Sequence, residues 1–166
     1  MIGTILIKET GATPKLTRRA HGDIMRRVLT EVAGTHHVKY MAKHFTGEGA
    51  REYGYQKRAG EGTSGKQFAR SYTGRKNRQK GHMRPLVWSG ASEILAKIRD
   101  VRATKHRATL VQHARGLNRR NPRSQINMAA EIRTVSEREL QQALRLAGVL
   151  TRREYRAIRS TQTTRV

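Results

Sequence analysis

The middle third of the sequence shows neither of the periodicities that produce regular secondary structure. Residues 47–85 contain eight glycines, ten basic residues and four aromatic residues, and their apolar positions follow neither helical nor strand spacing. A structureless segment of this length is uncommon inside a compact domain, so it should be either flexible in the free chain or ordered against a partner. We therefore expect one domain over residues 1–166, with 47–85 as an extended arm or loop.

The residues before this arm predict a long helix. Over 16–45, residues recur every three or four positions as on the inward face of one helix: Ile24, Val28, Val32, Thr35, Val38, Met41 or Ala42, and Phe45. Thr17 suits an N-cap and Gly47 suits a stop, while Gly34 costs about 1 kcal/mol relative to alanine and predicts a break. A short strand is expected over residues 2–7 because β-branched residues are concentrated there.

The residues after the arm predict a hairpin followed by a second long helix. After one or two helical turns over residues 91–97, two β-prone runs, 98–103 and 108–112, flank a polar turn. Ser136 and Glu139 form a capping box. A second box, Thr151 and Glu154, follows Gly148 and could restart the helix there. From the first box to about residue 160, the predicted inward face is Leu140, Leu144, Ala147, Leu150, Tyr155 and Ile158. With the N-terminal helix, these elements predict an α+β fold with a small antiparallel sheet and a C-terminal helix.

Positive charge is distributed along the whole chain. Lysine and arginine total 35 against 12 acidic residues, which gives a net charge of +23, and residues 1–46, 47–85 and 86–166 carry +5, +7 and +11. Such a body suits an acidic protein partner or the phosphates of a nucleic acid. The densest basic clusters, and so the candidate phosphate or partner contacts, are Arg75, Lys76, Arg78 and Lys80, and then Arg115, Arg119, Arg120 and Arg123.

Aromatic residues supply the other candidate contacts. Tyr53, Tyr55 and Tyr72 are available for stacking on bases. Trp88 is the only tryptophan and follows two apolar residues, which predicts a core or interface anchor. Tyr53 and Tyr55 are candidates for the same role.

Several classes of protein are disfavoured by what the sequence lacks. There is no cysteine for a disulfide, a thiolate metal site or a nucleophile. The longest apolar runs, at residues 5–7 and 86–88, are far shorter than the roughly 20 residues of a membrane span, and the first residues do not resemble a signal peptide. We therefore expect a soluble protein, intracellular when made, with no membrane contact.

Catalytic and metal-binding patterns are equally weak. No acidic pair, phosphate-binding glycine loop or nucleophile elbow is recognisable, so we expect no enzyme and no cofactor. His36, His37 and His44 are separated by one, seven and eight positions, whereas ligands on one helix face need spacings of three or four. A helix-turn-helix over 140–156, with Gly148 in the turn, is also possible but weakly supported.

Five segments in order across about residues 40–135, with the predicted hairpin between the third and the fourth, resemble a family of bacteriophage virion proteins of the head–tail junction, of the neck or tail-completion type. The segments are His44-Phe45-Thr46, Gly49-Ala50-Arg51-Glu52-Tyr53-Gly54-Tyr55, Lys80-Gly81-His82-Met83-Arg84-Pro85-Leu86-Val87-Trp88-Ser89-Gly90, Leu117-Asn118-Arg119-Arg120-Asn121-Pro122 and Met128-Ala129-Ala130-Glu131. The resemblance implies an α+β subunit of a homo-oligomeric ring in the virion, assembled in the host cytoplasm. Its implied partners are portal or adaptor proteins, tail proteins and, non-specifically, packaged DNA.

The charge alone leaves a second interpretation open. A net charge of +23 on 166 residues is also typical of a ribosomal or nucleoid-type nucleic-acid-binding protein. The dependence of binding on salt concentration discriminates between the two, because phosphate contacts release counterions.

Overall fold

The computed structural model describes residues 18–98, 100–111, 113–118 and 125–163, with side chains described to residue 158. The strand expected over residues 2–7, the cap at Thr17 and the basic residues Arg119, Arg120 and Arg123 lie outside these residues. The fold is α+β, as predicted. None of the helices in the described ranges combines the length and apolarity needed to cross a membrane.

The described elements are seven α-helices, two short 3₁₀ helices and one hairpin. In chain order they are α1 (Arg18–Tyr40), the first 3₁₀ helix (Met41–Phe45), α2 (Gly47–Glu52), α3 (Gly65–Arg70), α4 (Tyr72–Lys80), α5 (Ala91–Lys97), β1 (Asp100–Ala103), β2 (Ala108–Val111), the second 3₁₀ helix (Arg115–Asn118), α6 (Met128–Glu131) and α7 (Glu137–Thr163).

These elements form two compact units, which differs from the single domain expected. Unit 1 contains the described residues of 1–39, 99–111 and 135–166, and unit 2 contains those of 40–98 and 112–134. The chain enters unit 2 at the end of α1, returns to unit 1 for the hairpin, and completes unit 2 before α7 begins.

Unit 1 is built on α1 and α7, which run antiparallel. The start of α1 meets the end of α7, where Nδ1 of His21 lies 2.8 Å from the Tyr155 hydroxyl oxygen. The end of α1 meets the start of α7, where Lys39 Nζ donates to the Gln142 side chain at 2.9 Å. Between these contacts lies the apolar core of the unit, formed by Ile24, Val28, Val32, Ala143, Ala147 and Leu150.

Helix α1 confirms most of the predicted apolar face. It passes through Gly34 without the predicted break, because Gly34 is buried in a continuous helix that is sustained by packing rather than by propensity. The predicted inward position of Val38 is wrong, since that side chain is 68% exposed.

Helix α7 begins at the predicted capping box and then runs without interruption. Glu139 N donates to Ser136 Oγ, and Ser136 N donates to a carboxylate oxygen of Glu139, both at 3.4 Å. The helix continues through Gly148, so neither the helix-turn-helix nor a restart after this glycine is present. The predicted inward residues Leu140 and Leu144 are instead partly exposed.

The hairpin is confirmed. β1 and β2 pair antiparallel, with Asp100 opposite Val111 and Ala103 opposite Ala108. In the turn between them, the Thr104 hydroxyl oxygen accepts a hydrogen bond from Arg107 N at 3.2 Å, so a side chain satisfies a backbone donor that has no strand partner.

Unit 2 surrounds a second apolar core. Phe45, at the end of the first 3₁₀ helix, is fully buried. Around it pack Met41, Leu86, Val87, Ala96, Ala114, Leu117 and Ile132, with the partly buried Tyr55 and Met128 at the margin.

The expectation of an unstructured arm over 47–85 is wrong. Three short helices, α2, α3 and α4, lie within it. Thr46 Oγ1 accepts from Gly49 N at 3.0 Å to cap α2, and Ser71 Oγ accepts from Gly74 N at 3.1 Å to cap α4. Thr73 ties α4 back to the preceding loop, because its N–H and hydroxyl both donate to Ala59 O. Capping and internal hydrogen bonds replace the apolar periodicity that the sequence lacks.

Candidate functional site

Tyr53 is buried in unit 2, and Tyr55 packs against the margin of its core. The ring of Tyr53 stacks on buried His44 at a centroid distance of 4.1 Å. Nδ1 of His44 lies 2.5 Å from the Tyr55 hydroxyl oxygen. Tyr53 therefore exposes no ring on which a base could stack. Its burial, and the packing of Tyr55 against the core, suit the predicted role of these tyrosines as anchors.

A nearly buried ion pair joins the loop after α2 to α6. The Arg58 guanidinium donates to both carboxylate oxygens of Glu131, at 2.8 and 2.5 Å, and Gln56 N donates to the same carboxylate at 3.1 Å. Burial alone would lower the pKa of Arg58, but the hydrogen bond and the charge of Glu131 raise it above its ordinary value. No sequence motif marks this pair, since its members are far apart in the chain.

Lys76 is buried, which excludes it from the predicted set of exposed phosphate contacts. Its side chain is 3% exposed, and its ammonium donates a hydrogen bond to the carbonyl oxygen of Arg84. Burial, followed by the positive charge of Arg58, lowers the pKa of Lys76 to about 8, against a smaller opposing effect of Glu61. Its position, one helical turn after Tyr72, does not distinguish it from the other cations of α4.

Arg84 and Glu93 form a second link in unit 2. The Arg84 guanidinium donates to Glu93 at 2.6 Å and to Phe45 O at 3.3 Å. Burial would raise the pKa of Glu93, but hydrogen bonds from Lys97 and Arg84 lower it. This carboxylate is therefore charged and engaged at neutral pH.

Tyr72, Trp88, Arg75 and Lys80 form an exposed surface that we call the aromatic–cation patch. The rings of Tyr72 and Trp88 lie 5.8 Å apart at an angle of 29°, and each residue is 39% exposed. Lys80 Nζ lies 5.9 Å from the centre of the Trp88 ring. Trp88 is thus only partly buried, and its ring stacks on that of Tyr72.

The remaining predicted contacts are only partly brought together. Arg78 is exposed on α4 and donates to Ala69 O at 3.0 Å. Arg115 is exposed at the start of the second 3₁₀ helix. The other three arginines of that second cluster lie outside the described residues.

The segment around Trp88 is held in an unusual backbone conformation. Leu86 has a φ of 56°, in the left-handed region that disfavours side chains other than glycine, and its side chain is buried in the unit 2 core. Gly90, with a φ of 85°, provides the turn into α5. Burial of Leu86 and the Gly90 turn together fix the direction from which Trp88 reaches Tyr72.

Unit 2 also exposes apolar side chains on and beside α5. Ile94 is 66% exposed, and Leu95, Ile98 and Met83 are exposed as well. On the two turns of α5, the exposed Ile94 and Leu95 are adjacent in sequence, and the exposed Ile98 follows at the end of the helix. Such a face is typical of an interface with another protein.

Within the described part of the chain, no group of three or more histidine and acidic residues is placed to hold a metal ion, and this includes His36, His37 and His44. A shallow groove of about 420 Å³ in unit 1 is lined by Arg26, Arg27, Thr30, Glu31, Val101 and Ala103. Its charged residues are ion-paired, for example Arg27 with Glu154 and Glu31 with Arg153.

Comparisons with protein-family models, with curated proteins and with solved structures find no match to this chain.

Proposed function

We propose that the protein is a structural virion protein of the bacteriophage head–tail junction, which forms a ring between portal and tail. The proposal starts from the resemblance of five segments across residues 40–135 to that family. The observation that carries it is that two of these segments, 44–46 and 80–90, pack together in unit 2 although 33 residues separate them.

The contacts between the two segments are specific. Phe45 packs with Leu86 and Val87 in the buried core. The guanidinium of Arg84 hydrogen-bonds the carbonyl oxygen of Phe45. The segments that carry the resemblance therefore build a framework, as expected for a protein whose role is to hold its shape within an assembly.

The ring contact is assigned to α5 and not to an arm. Residues 47–85 are packed on their own unit, so they are not available as the flexible extension that the sequence suggested. The exposed side chains of Ile94, Leu95 and Ile98 supply an apolar surface instead. When a head-to-tail contact is repeated between identical subunits, it forms a ring if the rotation between neighbours brings the last subunit back to the first.

The solution mass of the purified protein tests this ring. We expect an oligomer by light scattering, and we expect Ile94→Glu to release monomers, because it places a charge in the centre of the apolar surface. Gln67→Glu on exposed α3 adds the same charge elsewhere and serves as the control. A monomeric wild-type protein at all concentrations, or equal assembly of both variants, contradicts the ring.

Particles made without the gene product test the location. We expect filled heads and tails that fail to join in negative-stain images. Normal attachment of tails to filled heads in its absence contradicts the proposal.

The alternative function is binding of nucleic acid of ribosomal or nucleoid type. It is favoured by the net charge of +23 and by the exposed cations of α4. Tight binding of mixed-sequence DNA or RNA near physiological salt, with a steep dependence on salt concentration, supports it. Weak binding that vanishes at modest salt favours the virion protein.

A further inference from the structure

We propose that Tyr72 and Trp88 form a stacking platform for the bases of a single-stranded nucleic acid, with Arg75 and Lys80 binding its phosphates. The proposal does not depend on the head–tail assignment, since it concerns the aromatic–cation patch and not the apolar face of α5.

The two rings are more exposed than the other tyrosines of unit 2, of which Tyr53 is buried and Tyr40 and Tyr55 are half-buried. Tyr53 is in the core, and Tyr55 packs against its margin, but Tyr72 and Trp88 each keep more than a third of their surface accessible. They come from α4 and from the segment before α5, and they meet at 5.8 Å. Lys76 Nζ lies over the Tyr72 ring at 5.9 Å, as Lys80 Nζ lies over the Trp88 ring, so the exposed part of each ring is bordered by an ammonium group. Adjacent, partly exposed aromatic rings beside cations are the kind of surface on which unpaired bases stack.

The cations of the patch lie on the same helix as Tyr72. Arg75 and Lys80 follow Tyr72 by three and eight positions, which places all three on neighbouring parts of the α4 surface. Lys80 Nζ already lies over the Trp88 ring at 5.9 Å. A phosphate linked to a stacked base would therefore be within reach of this ammonium.

The positive charge of the patch is not neutralised locally. Helix α4 contains no acidic residue, and within the described ranges neither Arg75 nor Lys80 makes an ion pair. The nearby carboxylates are engaged elsewhere in unit 2: Glu61 accepts from Arg58 N, Glu93 pairs with Arg84 and Lys97, and Glu131 pairs with Arg58.

The titration of His82 supports a positive local field. Burial, and then the charges of Lys76 and Arg84, lower the pKa of this imidazole. The same positive charges that disfavour protonation of His82 attract an anion to the patch. Phosphate is the anion that comes attached to an aromatic base.

A single strand fits this surface better than a duplex. In a duplex the faces of the bases are covered by their neighbours, so protein rings have no access to them, whereas unpaired bases can be splayed onto aromatic side chains. Single-stranded DNA and single-stranded RNA share this chemistry, and the 2′-hydroxyl is the feature that separates them.

Trp88 is the only tryptophan in the chain, so its fluorescence reports on the patch alone. The full-length protein is titrated at about 0.1 M salt with a labelled 20-mer of oligo(dT), the same length of oligo(rU), and a mixed-sequence duplex. Anisotropy of the label measures binding, and indole emission measures stacking. We expect quenching by one or both single strands, and binding of the duplex without quenching.

Variants then separate stacking from charge. Tyr72→Leu should weaken binding of the single strand about tenfold or more, while Tyr72→Phe, which keeps the ring, should not. Lys80→Gln should lower the salt slope by about one, and Lys66→Gln, which removes an exposed charge from α3, should have a smaller effect. Because Tyr72→Phe and the two lysine variants keep the core intact, the test remains informative should Tyr72→Leu unfold.

Three results overturn the proposal. The first is the absence of binding to any single strand. The second is binding with no change in indole emission, or with equal quenching by the duplex, which indicates charge attraction alone. The third is equal affinity of Lys80→Gln and Lys66→Gln, which places the phosphate contacts elsewhere.

Discussion

Replacement of Lys76 by methionine should change how the stability of the protein depends on pH. Lys76 is buried among the charges of Arg58, Arg84 and Glu61, and it also lies near His82. Its pKa falls from 10.5 to about 8 on folding. Methionine fills a similar volume and carries no charge.

The sign of the effect follows from which state holds the proton. Below pH 8 the ammonium is charged in both states, and its burial lowers the free energy of unfolding by a constant amount. Between pH 8 and pH 10.5 the native state releases the proton while the unfolded state keeps it, so the free energy of unfolding rises with pH. The relief of this burial cost is complete only above pH 10.5.

The magnitude follows from the same pair of values. At about 1.4 kcal/mol per pKa unit, the full difference is at most about 3 kcal/mol, and about 2 kcal/mol of it is gained between pH 7 and pH 9.5. Solvent screening of the neighbouring charges reduces this value, which is therefore an upper limit. Loss of the hydrogen bond to Arg84 O costs about 1 kcal/mol at every pH and leaves the slope unchanged.

Urea unfolding at constant ionic strength, followed by circular dichroism at several pH values, measures the effect. Relative to Lys76→Met, the wild type should gain up to about 2 kcal/mol between pH 7 and pH 9.5. Lys66→Met removes the same charge from an exposed site and should keep the wild-type slope. Parallel curves for wild type and Lys76→Met refute the argument, because they show that Lys76 titrates normally in the folded protein.

Three further substitutions test the packing of unit 2. Gly49→Ala should lower the free energy of unfolding by more than about 2 kcal/mol, because its Cβ would lie 2.0 Å from a backbone carbonyl oxygen. The control Gly47→Ala places its Cβ in open space, so the urea midpoint should stay unchanged or rise slightly. Arg58→Met should lower the free energy of unfolding by about 3 kcal/mol in the same assay, because it leaves the Glu131 charge buried without its partner. Adding Glu131→Leu should restore most of that stability. If the effects of the two substitutions simply add, the pairing is contradicted. Trp88→Ala should cost about 2 kcal/mol or less, since the side chain is only partly buried, and a loss of 4 kcal/mol in thermal or urea unfolding would show that it is a core residue.

Elements whose signals are local could be predicted from the sequence. The capping box of Ser136 and Glu139 begins α7, and the polar turn after Ala103 closes the hairpin. Both depend on residues within four positions of each other, so a short stretch of sequence contains every residue that the feature needs. The apolar spacing of α1 belongs to the same class, since it reflects one helix face.

The orientation of α7 depended on its partner and was predicted less well. The helical spacing was correct, but its leucines at 140 and 144 remain partly exposed while Ala143 and Ala147 are buried. The two alanines share the core of unit 1 with Ile24, Val28 and Val32 of α1, and the two leucines lie outside that core. Spacing alone indicates a stripe, and the shape of the neighbouring helix decides which part of it is covered.

Residues 47–85 were predicted least well, for a related reason. Their helices are too short to show apolar periodicity. Side chains cap α2 and α4, and contacts distant in sequence, such as Arg58 with Glu131, hold the loop after α2. The candidate contacts changed accordingly: Lys76 is buried, and Tyr72 gained a partner in Trp88 that no local pattern indicated.

During synthesis on the ribosome, unit 2 is completed before unit 1, because the last segment of unit 1 follows all of unit 2 in the sequence. Every residue of unit 2 has been translated once residue 134 is added, whereas unit 1 still lacks α7. At roughly 5–20 residues per second, the 27 residues of α7 take about one to five seconds to make. During that interval the apolar residues of α1 that pack with α7 have no helix to cover them.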